Sequence, residues 1–314
     1  MDIYGSGSKA WMGFMAAVLT AFMAGCGGGD EIFGITGGAG GPGPAGPAPA
    51  LGALGAYGAF GGSGAAGMTN QGILTVITGA QGQPVSIGTT GASTTMTGFH
   101  DTTQPYTPPP AATGCSYTET TLNIGRVDGT INTAAPPPNA PFCPLEGTAT
   151  TFAAAQAAAA AALAAYNDLS PPARPGALVI PANLGGQTLA PGVYTTASGA
   201  FLITGANLTL DAGGNANAVW VFQMASSLTV GEAAVPRSVI LAGGAQPKNV
   251  FWQVGSSATI NPSGGGTMVG TIIASAAVSF STAGNAIVAT LNGRAVGLNA
   301  LVSMTNTVIN VPAP

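Results

Sequence analysis

The sequence predicts an all-β chain wound as a parallel β-helix, with one long α-helix packed alongside. Three observations carry this prediction. Triads in which a hydroxyl residue stands between two apolar ones recur from residue 208 onward: Leu208-Thr209-Leu210, Leu228-Thr229-Val230, Ala258-Thr259-Ile260, Val278-Ser279-Phe280 and Val302-Ser303-Met304, at steps of 20, 30, 20 and 24 residues. Repeats of this length, built only of strands and tight turns, belong to solenoids in which each coil stacks on the last. A single stretch, 151–169, reads TFAAAQAAAAAALAAYNDL and is followed by Ser170-Pro171-Pro172. Alanine has the highest helix propensity, Thr150 or Thr151 can cap the start, and the prolines stop the helix. Finally, 46% of the residues are hydrophobic but only 5% are charged, against roughly 25% charged in an ordinary soluble domain. A core is available, and the surface must consist largely of small neutral groups.

That composition excludes several functions. Six Lys and Arg in the whole chain cannot neutralise a nucleic-acid backbone, so no nucleic acid is expected as a partner. One histidine and ten scattered carboxylates leave few groups for general acid–base catalysis. The glycines contain no phosphate-loop signature.

The elements follow in chain order. Lys9, an apolar run at 10–23 and then Met23-Ala24-Gly25-Cys26 read as an export signal. The run is shorter than the roughly 20 residues that span a bilayer. Small residues just before a cysteine resemble the lipobox of bacterial lipoproteins, which implies cleavage before Cys26 and acylation of its sulfur and new amino group. Residues 1–25 are thus expected to be a signal peptide, and the mature chain to be exported and lipid-anchored at the cell envelope or surface. The membrane is then a partner through that lipid only. Residues 26–51, rich in Gly, Pro and Ala, show no sustained Gly-X-Y period and are expected to form a flexible tether. With Cys26 given to lipid, Cys115 and Cys143 remain as one disulfide in an oxidising compartment. They lie in the Pro-rich stretch 104–146, and closing that loop stabilises by about 3–4 kcal/mol in the chain-entropy picture.

The domain itself is expected over 52–314. Short strand-like runs at 73–77, 85–87, 122–125 and 130–132 precede the helix. After it, the triads alternate with runs at 219–223, 239–241, 250–253, 268–270 and 272–273, each bounded by turn residues. Phe152, Leu163 and Tyr166 are the helix's only bulky apolar groups, so it is expected to lie close against a sheet. Strand alternation turns the apolar triad members inward and aligns Thr209, Thr229, Thr259, Ser279 and Ser303 in one exposed column. Its flanks are Asn207, Ser227, Ser257, Ala277 and Leu301 on one side, and Asp211, Gly231, Asn261, Ser281 and Thr305 on the other. Trp220 and Trp252 are expected at equivalent positions of two coils, facing the core or the helix.

Several segments resemble the DUF3494-type ice-binding protein family of bacteria and fungi. They are Leu189-Ala190-Pro191-Gly192-Val193-Tyr194, Leu208-Thr209-Leu210-Asp211-Ala212, Asn217-Ala218-Val219-Trp220-Val221-Phe222-Gln223, Asn249-Val250-Phe251-Trp252-Gln253-Val254-Gly255-Ser256-Ser257-Ala258 and Leu291-Asn292-Gly293-Arg294-Ala295. Weaker matches are Gly88-Thr89-Thr90-Gly91-Ala92 and Val127-Asp128-Gly129-Thr130-Ile131, and the alanine helix stands where that family has its single long helix. The resemblance implies a right-handed, three-sided β-helix of discontinuous coil order, completed by residues from both sides of the helix. The stretch 104–146 is longer and more irregular than the family's minimal form and reads as a capping insertion.

Adsorption to ice is the function the resemblance implies. It needs no catalytic group, only a flat, rigid face whose hydroxyls and methyls hold water near lattice positions. Charges would keep their own hydration shells. Rungs repeating every ~4.7–4.9 Å suit that task, being close to a repeat of the ice lattice. The candidate ice-binding residues are Thr209, Thr229, Thr259, Ser279 and Ser303, with Ser227, Ser257, Asn261, Ser281 and Thr305 beside them. Asp211 and Leu301 at the ends, and Ser in two rungs, argue for weaker activity.

Other chemistries find little support. His100-Asp101 invites a dyad reading, but strand neighbours point to opposite faces and no nucleophile motif accompanies them. Asp168, Asp211, Glu146 and Glu232 do not recur in register, so the paired carboxylates of polysaccharide-cleaving β-helices are not visible. The sequence therefore points to a monomeric, surface-anchored, non-enzymatic ice-binding protein without cofactor or metal. The alternative is an adhesion or matrix protein that uses the same fold to bind glycan or abiotic surfaces.

Overall fold

A computed structural model describes residues 43–62, 66–103, 105–109, 114–138 and 143–313. The expected signal peptide, Cys26 and the first part of the tether lie outside the described residues. Among the described residues the strands form sheets of fourteen, seven and three members, and every strand pair is parallel except Phe99–His100 with Ser116–Tyr117. One α-helix, α1 (Ala149–Asp168), accompanies them there. The described residues are thus mostly β with one long helix.

Alternation explains the strands. In Leu228–Val230, Ala258–Ile260 and Val278–Phe280 the outer residues are buried and the central hydroxyl is half-exposed. Inward side chains from all three sheets merge into one core. Trp220 and Trp252 both belong to it, but not at equivalent positions. Gln223 pairs with Gln253, so Trp252 stands level with Phe222 and Trp220 with Val250. The Phe222 and Trp252 rings stack at 4.1 Å. Each indole N–H donates to a carbonyl, Trp220 to Leu189 and Trp252 to Val269.

Sheet order does not follow chain order. Val302–Met304 pairs with Met68–Asn70, Thr307–Val311 with Thr75–Gly79, and Ala289–Gly297 with Tyr57–Gly61. Segments from before and after the helix therefore complete the same sheets, as the resemblance implies.

The cap of α1 falls earlier than the sequence suggested. Thr148, rather than Thr150 or Thr151, is the N-cap: its hydroxyl accepts the Thr151 N–H at 3.3 Å, and the Thr151 hydroxyl oxygen accepts the Thr148 N–H at 2.9 Å. This reciprocal pair satisfies two of the N–H groups left open at a helix start. Ala155, Ala158, Ala162 and Ala165 form the buried stripe, packed on Leu54, Phe60, Val193, Val221, Phe251, Ile273 and Val296. The bulky residues do not make this seam, for Leu163 is exposed and Phe152 and Tyr166 are only half-buried. Methyl groups let the helix backbone approach the sheet closely.

Two boundary features complete the domain. Cys115 and Cys143 form the expected disulfide, with Cα atoms 5.4 Å apart. The packed domain begins before residue 52, because part of the expected tether docks: the Val193 N–H donates to Gly43 O at 3.2 Å, Arg174 donates to Ala45 O, and Ala45 is buried in the helix seam.

The seam generates a prediction. Ala158→Glu or Ala162→Glu drives a charge between helix and sheet and should cost on the order of 3 kcal/mol or more in urea unfolding. Ala157→Glu, on the exposed side of the same helix, should melt like the parent. Equal stability in all three variants would mean that the helix does not rest on the sheet.

Candidate functional site

The seven-stranded sheet brings one outward column into register. Leu202 pairs with Thr229, Thr229 with Thr259, Thr259 with Ser279, Ser279 with Ser303, Ser303 with Thr69, and Thr69 with Thr97. Every member is part-exposed, while the residues on either side of each hydroxyl point inward and are buried. The backing is therefore packed core, which holds the hydroxyls at fixed rung spacing. Ser227, Ser257, Ala277 and Leu301 form a second outward column beside the first, aligned by Leu228 N–H to Ser257 O, Ala258 N–H to Ala277 O and Val278 N–H to Leu301 O. No Lys, Arg, His, Asp or Glu stands in either column.

Thr209 does not belong to this face. It lies in the three-stranded sheet, between Thr188 and Ile240. Leu202 occupies the place it was expected to fill, because the chain runs through Phe201–Ile203 in the seven-stranded sheet, turns, and enters the three-stranded sheet at Leu208–Asp211. Its flanking residues are accordingly elsewhere: Asp211 Oδ1 accepts the Gly213 N–H and Asn207 Oδ1 the Ser238 N–H.

The other expected flank is not a surface column either. Asn261, Ser281 and Thr305 are buried. At that corner the backbone turns through left-handed conformations, with φ of 83° at Gly231, 45° at Asn261 and 57° at Ser281. A β-carbon at Gly231 would lie 2.4 Å from Asn261 Oδ1. The Asn261 amide faces inward, accepting the Arg237 N–H at 2.9 Å and donating to the carbonyls of Arg237 and Gly265. Asn306 and Asn70 serve neighbouring corner segments in the same way. These polar groups close turns and do not meet solvent.

Sequence reasoning missed Thr69, Thr97 and Leu202. Met68-Thr69-Asn70 and Met96-Thr97 do carry the apolar-hydroxyl signal, but they lie before the helix, outside the repeat of residues 208–304.

A second cluster of polar groups sits under the Pro-rich segment. His100 Nδ1 lies 2.8 Å from Glu119 Oε1, which also accepts the Gly125 N–H, and the His100 ring stacks on Tyr106 at 3.5 Å. Asp101 accepts the N–H groups of Ile131 and Thr103, and the Tyr117 hydroxyl donates to Glu146 at 2.5 Å. His100 thus partners Glu119 and not Asp101. Burial first, then the charge of Asp101, pushes Glu146 up to about 7. Burial, then the Glu146 charge, likewise raises the Tyr117 phenol. Cys115, Cys143 and Glu146 come together, but the two sulfurs are joined in the disulfide and offer no thiolate to a metal. The cluster ties the Pro-rich segment to the sheet.

A family model described as ice-binding-like matches residues 63–310. An ice-binding protein of Nostoc is 43% identical over 129 residues, which cover 41% of this chain and 44% of that protein. One from Flavobacterium frigoris is 34% identical over 125 residues, covering 40% of each. The chain thus spans less than half the length of these relatives in each alignment. Among solved structures, that of an ice-binding protein from the Antarctic ascomycete Antarctomyces psychrotrophicus matches with a TM-score of 0.59 at 29% identity, covering 85% of this chain and all of that one.

The buried acid predicts a pH dependence. A carboxyl whose folded pKa is raised binds its proton more tightly in the native state, so its contribution is full below the unfolded pKa near 4.5 and is lost as pH rises through about 7. Melting temperature should therefore fall between pH 4.5 and 7, and Glu146→Gln should flatten that part of the profile. An identical slope in the variant would assign the dependence to another group.

Proposed function

This chain belongs to the ice-binding-like family, and on that premise we propose that it adsorbs to ice through the outer face of the seven-stranded sheet. The observation that carries the reading is the register of Thr229, Thr259, Ser279, Ser303, Thr69 and Thr97, six hydroxyls on consecutive parallel strands with packed core behind them. Parallel strands stand about 4.8 Å apart, so the column presents evenly spaced oxygens and, at the threonines, methyls. Without charges on it, the face has no side chain that holds a tight hydration shell of its own. Ice adsorption requires no bond to be made or broken, and no catalytic step forms part of the reading.

The finer architecture in this proposal is a right-handed solenoid whose three sides are the hydroxyl face, the helix-covered side and the side carrying Thr209. A monomer suffices, since the face is complete in one chain. Export and a lipid on Cys26 would place that face at the cell surface, where the protein would hold cells to ice or keep crystals off the envelope. For the anchor, mass spectrometry of the membrane fraction should find an acylated Cys26 at the mature N-terminus; an unmodified chain beginning elsewhere would remove it from the proposal. The second reading, adhesion to glycan or abiotic surfaces, draws on the breaks in the hydroxyl pattern at Leu202, Ala277 and Leu301, of which the two leucines are 36% and 41% exposed.

Measurement of thermal hysteresis and ice-crystal shaping tests the face. Thr229→Tyr and Thr259→Tyr should remove most activity while leaving unfolding free energy within about 0.5 kcal/mol of the parent's, as for outward substitutions generally. Thr209→Tyr, on another sheet, should leave activity intact. Full activity in the first two would move the site elsewhere, and unshaped ice with the parent protein would favour adhesion.

A further inference from the structure

Three metal-ligating groups meet under the Pro-rich segment. The Cys115 and Cys143 sulfurs and a Glu146 carboxylate oxygen all lie within 4.8 Å of one another, and all three residues are buried. In the oxidised chain the sulfurs are joined in the disulfide. A chain that has not been oxidised carries them as two thiols beside the same carboxyl.

Local structure brings the three together. Cys143 and Glu146 stand three residues apart on one turn, closed by the Glu146 N–H donating to Cys143 O at 3.2 Å. That is the spacing of a C-x2-C zinc motif with glutamate in place of the second cysteine. Cys115 immediately precedes the strand Ser116–Tyr117, which pairs with Phe99–His100. From that strand the Tyr117 hydroxyl donates to Glu146 Oε2 at 2.5 Å, and the Thr103 hydroxyl donates to Oε1. Each carboxylate oxygen has two lone pairs. The two bonds therefore leave a pair for a metal while fixing the direction of the group, as outer-shell partners of metal ligands do. In a tetrahedral zinc site, bonds of about 2.3 Å to sulfur and 2.0 Å to oxygen set the ligand atoms about 3.5–3.8 Å apart, which the present cluster allows. Two soft sulfurs and one carboxylate select zinc over calcium or magnesium.

We propose that the chain, before it is oxidised, binds one zinc ion through Cys115, Cys143 and Glu146, with water in the fourth position. Binding releases the two thiol protons to solvent. The ion closes the same loop between residues 115 and 143 that the disulfide closes afterwards, and so holds the Pro-rich segment on the sheet until an oxidant arrives. A disulfide compound then ejects it. The two thiolates give up two electrons and join, the oxidant's sulfur–sulfur bond is cleaved to two thiols with two protons from solvent, and zinc leaves as the dication. The site is independent of the ice-binding reading, since it uses none of the residues of the hydroxyl face.

The test uses the purified chain, reduced by a phosphine in denaturant and refolded without oxygen. Cobalt(II), a spectroscopic stand-in for zinc, should give a thiolate charge-transfer band in the near ultraviolet that saturates at one ion per chain, and added zinc should bleach it. Glu146→Gln should weaken zinc binding about tenfold or more. Oxidised glutathione should release the zinc as the disulfide forms, and the chain that was never reduced should give no such band. No charge-transfer band in the reduced parent, zinc held as tightly by Glu146→Gln, or zinc retained once the disulfide has formed would each overturn the proposal. Should Glu146→Gln fail to fold, zinc-edge X-ray absorption of the reduced parent decides it: two sulfur and two oxygen neighbours are expected, and any other count of sulfurs rejects the site.

Discussion

The rest of the structure depends on parallel register across a sequence gap of more than 200 residues. Thr69 pairs with Ser303, Ile77 with Ile309 and Ala59 with Ala295. Without these pairs the C-terminal coil would end in open strand edges, and the hydroxyl column would stop at Ser303. Unpaired edges are liable to aggregate, and the proposed ice-binding column would lack Thr69 and Thr97. The same pairs dictate the helix. The helix-side sheet runs from Leu178–Val179 at one edge to Ile131–Ala134 at the other, eight strand spacings, or about 38 Å. A 20-residue helix spans about 30 Å, so α1 carries the chain most of the way back along the stack, and its flanking loops bridge the remainder. Its length follows from the height of the sheet, and its alanine content from the closeness of the seam.

Charge is distributed to the same end. Asp168 with Arg174 lies at the end of α1, Glu232 with Arg237 behind the corner that Asn261 closes, and Arg126 with Asp128 in and just after the strand Gly125–Val127. His100, Asp101, Glu119 and Glu146 are drawn together under the Pro-rich segment. The hydroxyl face is left with none. A chain with so few charges can afford this arrangement only because its polar needs at the corners are met by asparagine and backbone groups.

Much of this was legible in the sequence, and what was not has a physical reason. The alternation of Leu228-Thr229-Val230 and its successors reports a buried side and an exposed side without reference to anything distant, so four rungs of the column were readable. Thr209 was misread because a triad shows which way a residue points but not which sheet it is on. Only the turn between Phe201–Ile203 and Leu208–Asp211 decides that, and it carries no distinctive signal. Asn261 and Ser281 stand one residue past their strands, where alternation no longer holds and a left-handed backbone reverses the side chain's direction. Thr69 and Thr97 join the face through pairing between distant segments, which local patterning does not encode. The disulfide followed from counting cysteines, whereas the docking of residues 43–51 depends on contacts made by backbone carbonyls, to which composition is blind.

The most direct test of the account concerns a residue that local sequence would not place at the site. Thermal hysteresis and crystal shaping should be measured for Thr69→Tyr beside the parent at matched concentration. If the face is one continuous column completed from both sides of the helix, this substitution should remove most activity while the protein stays folded. Undiminished activity in a folded Thr69→Tyr variant would contradict the claim that the segments before and after the helix build a single ice-binding face.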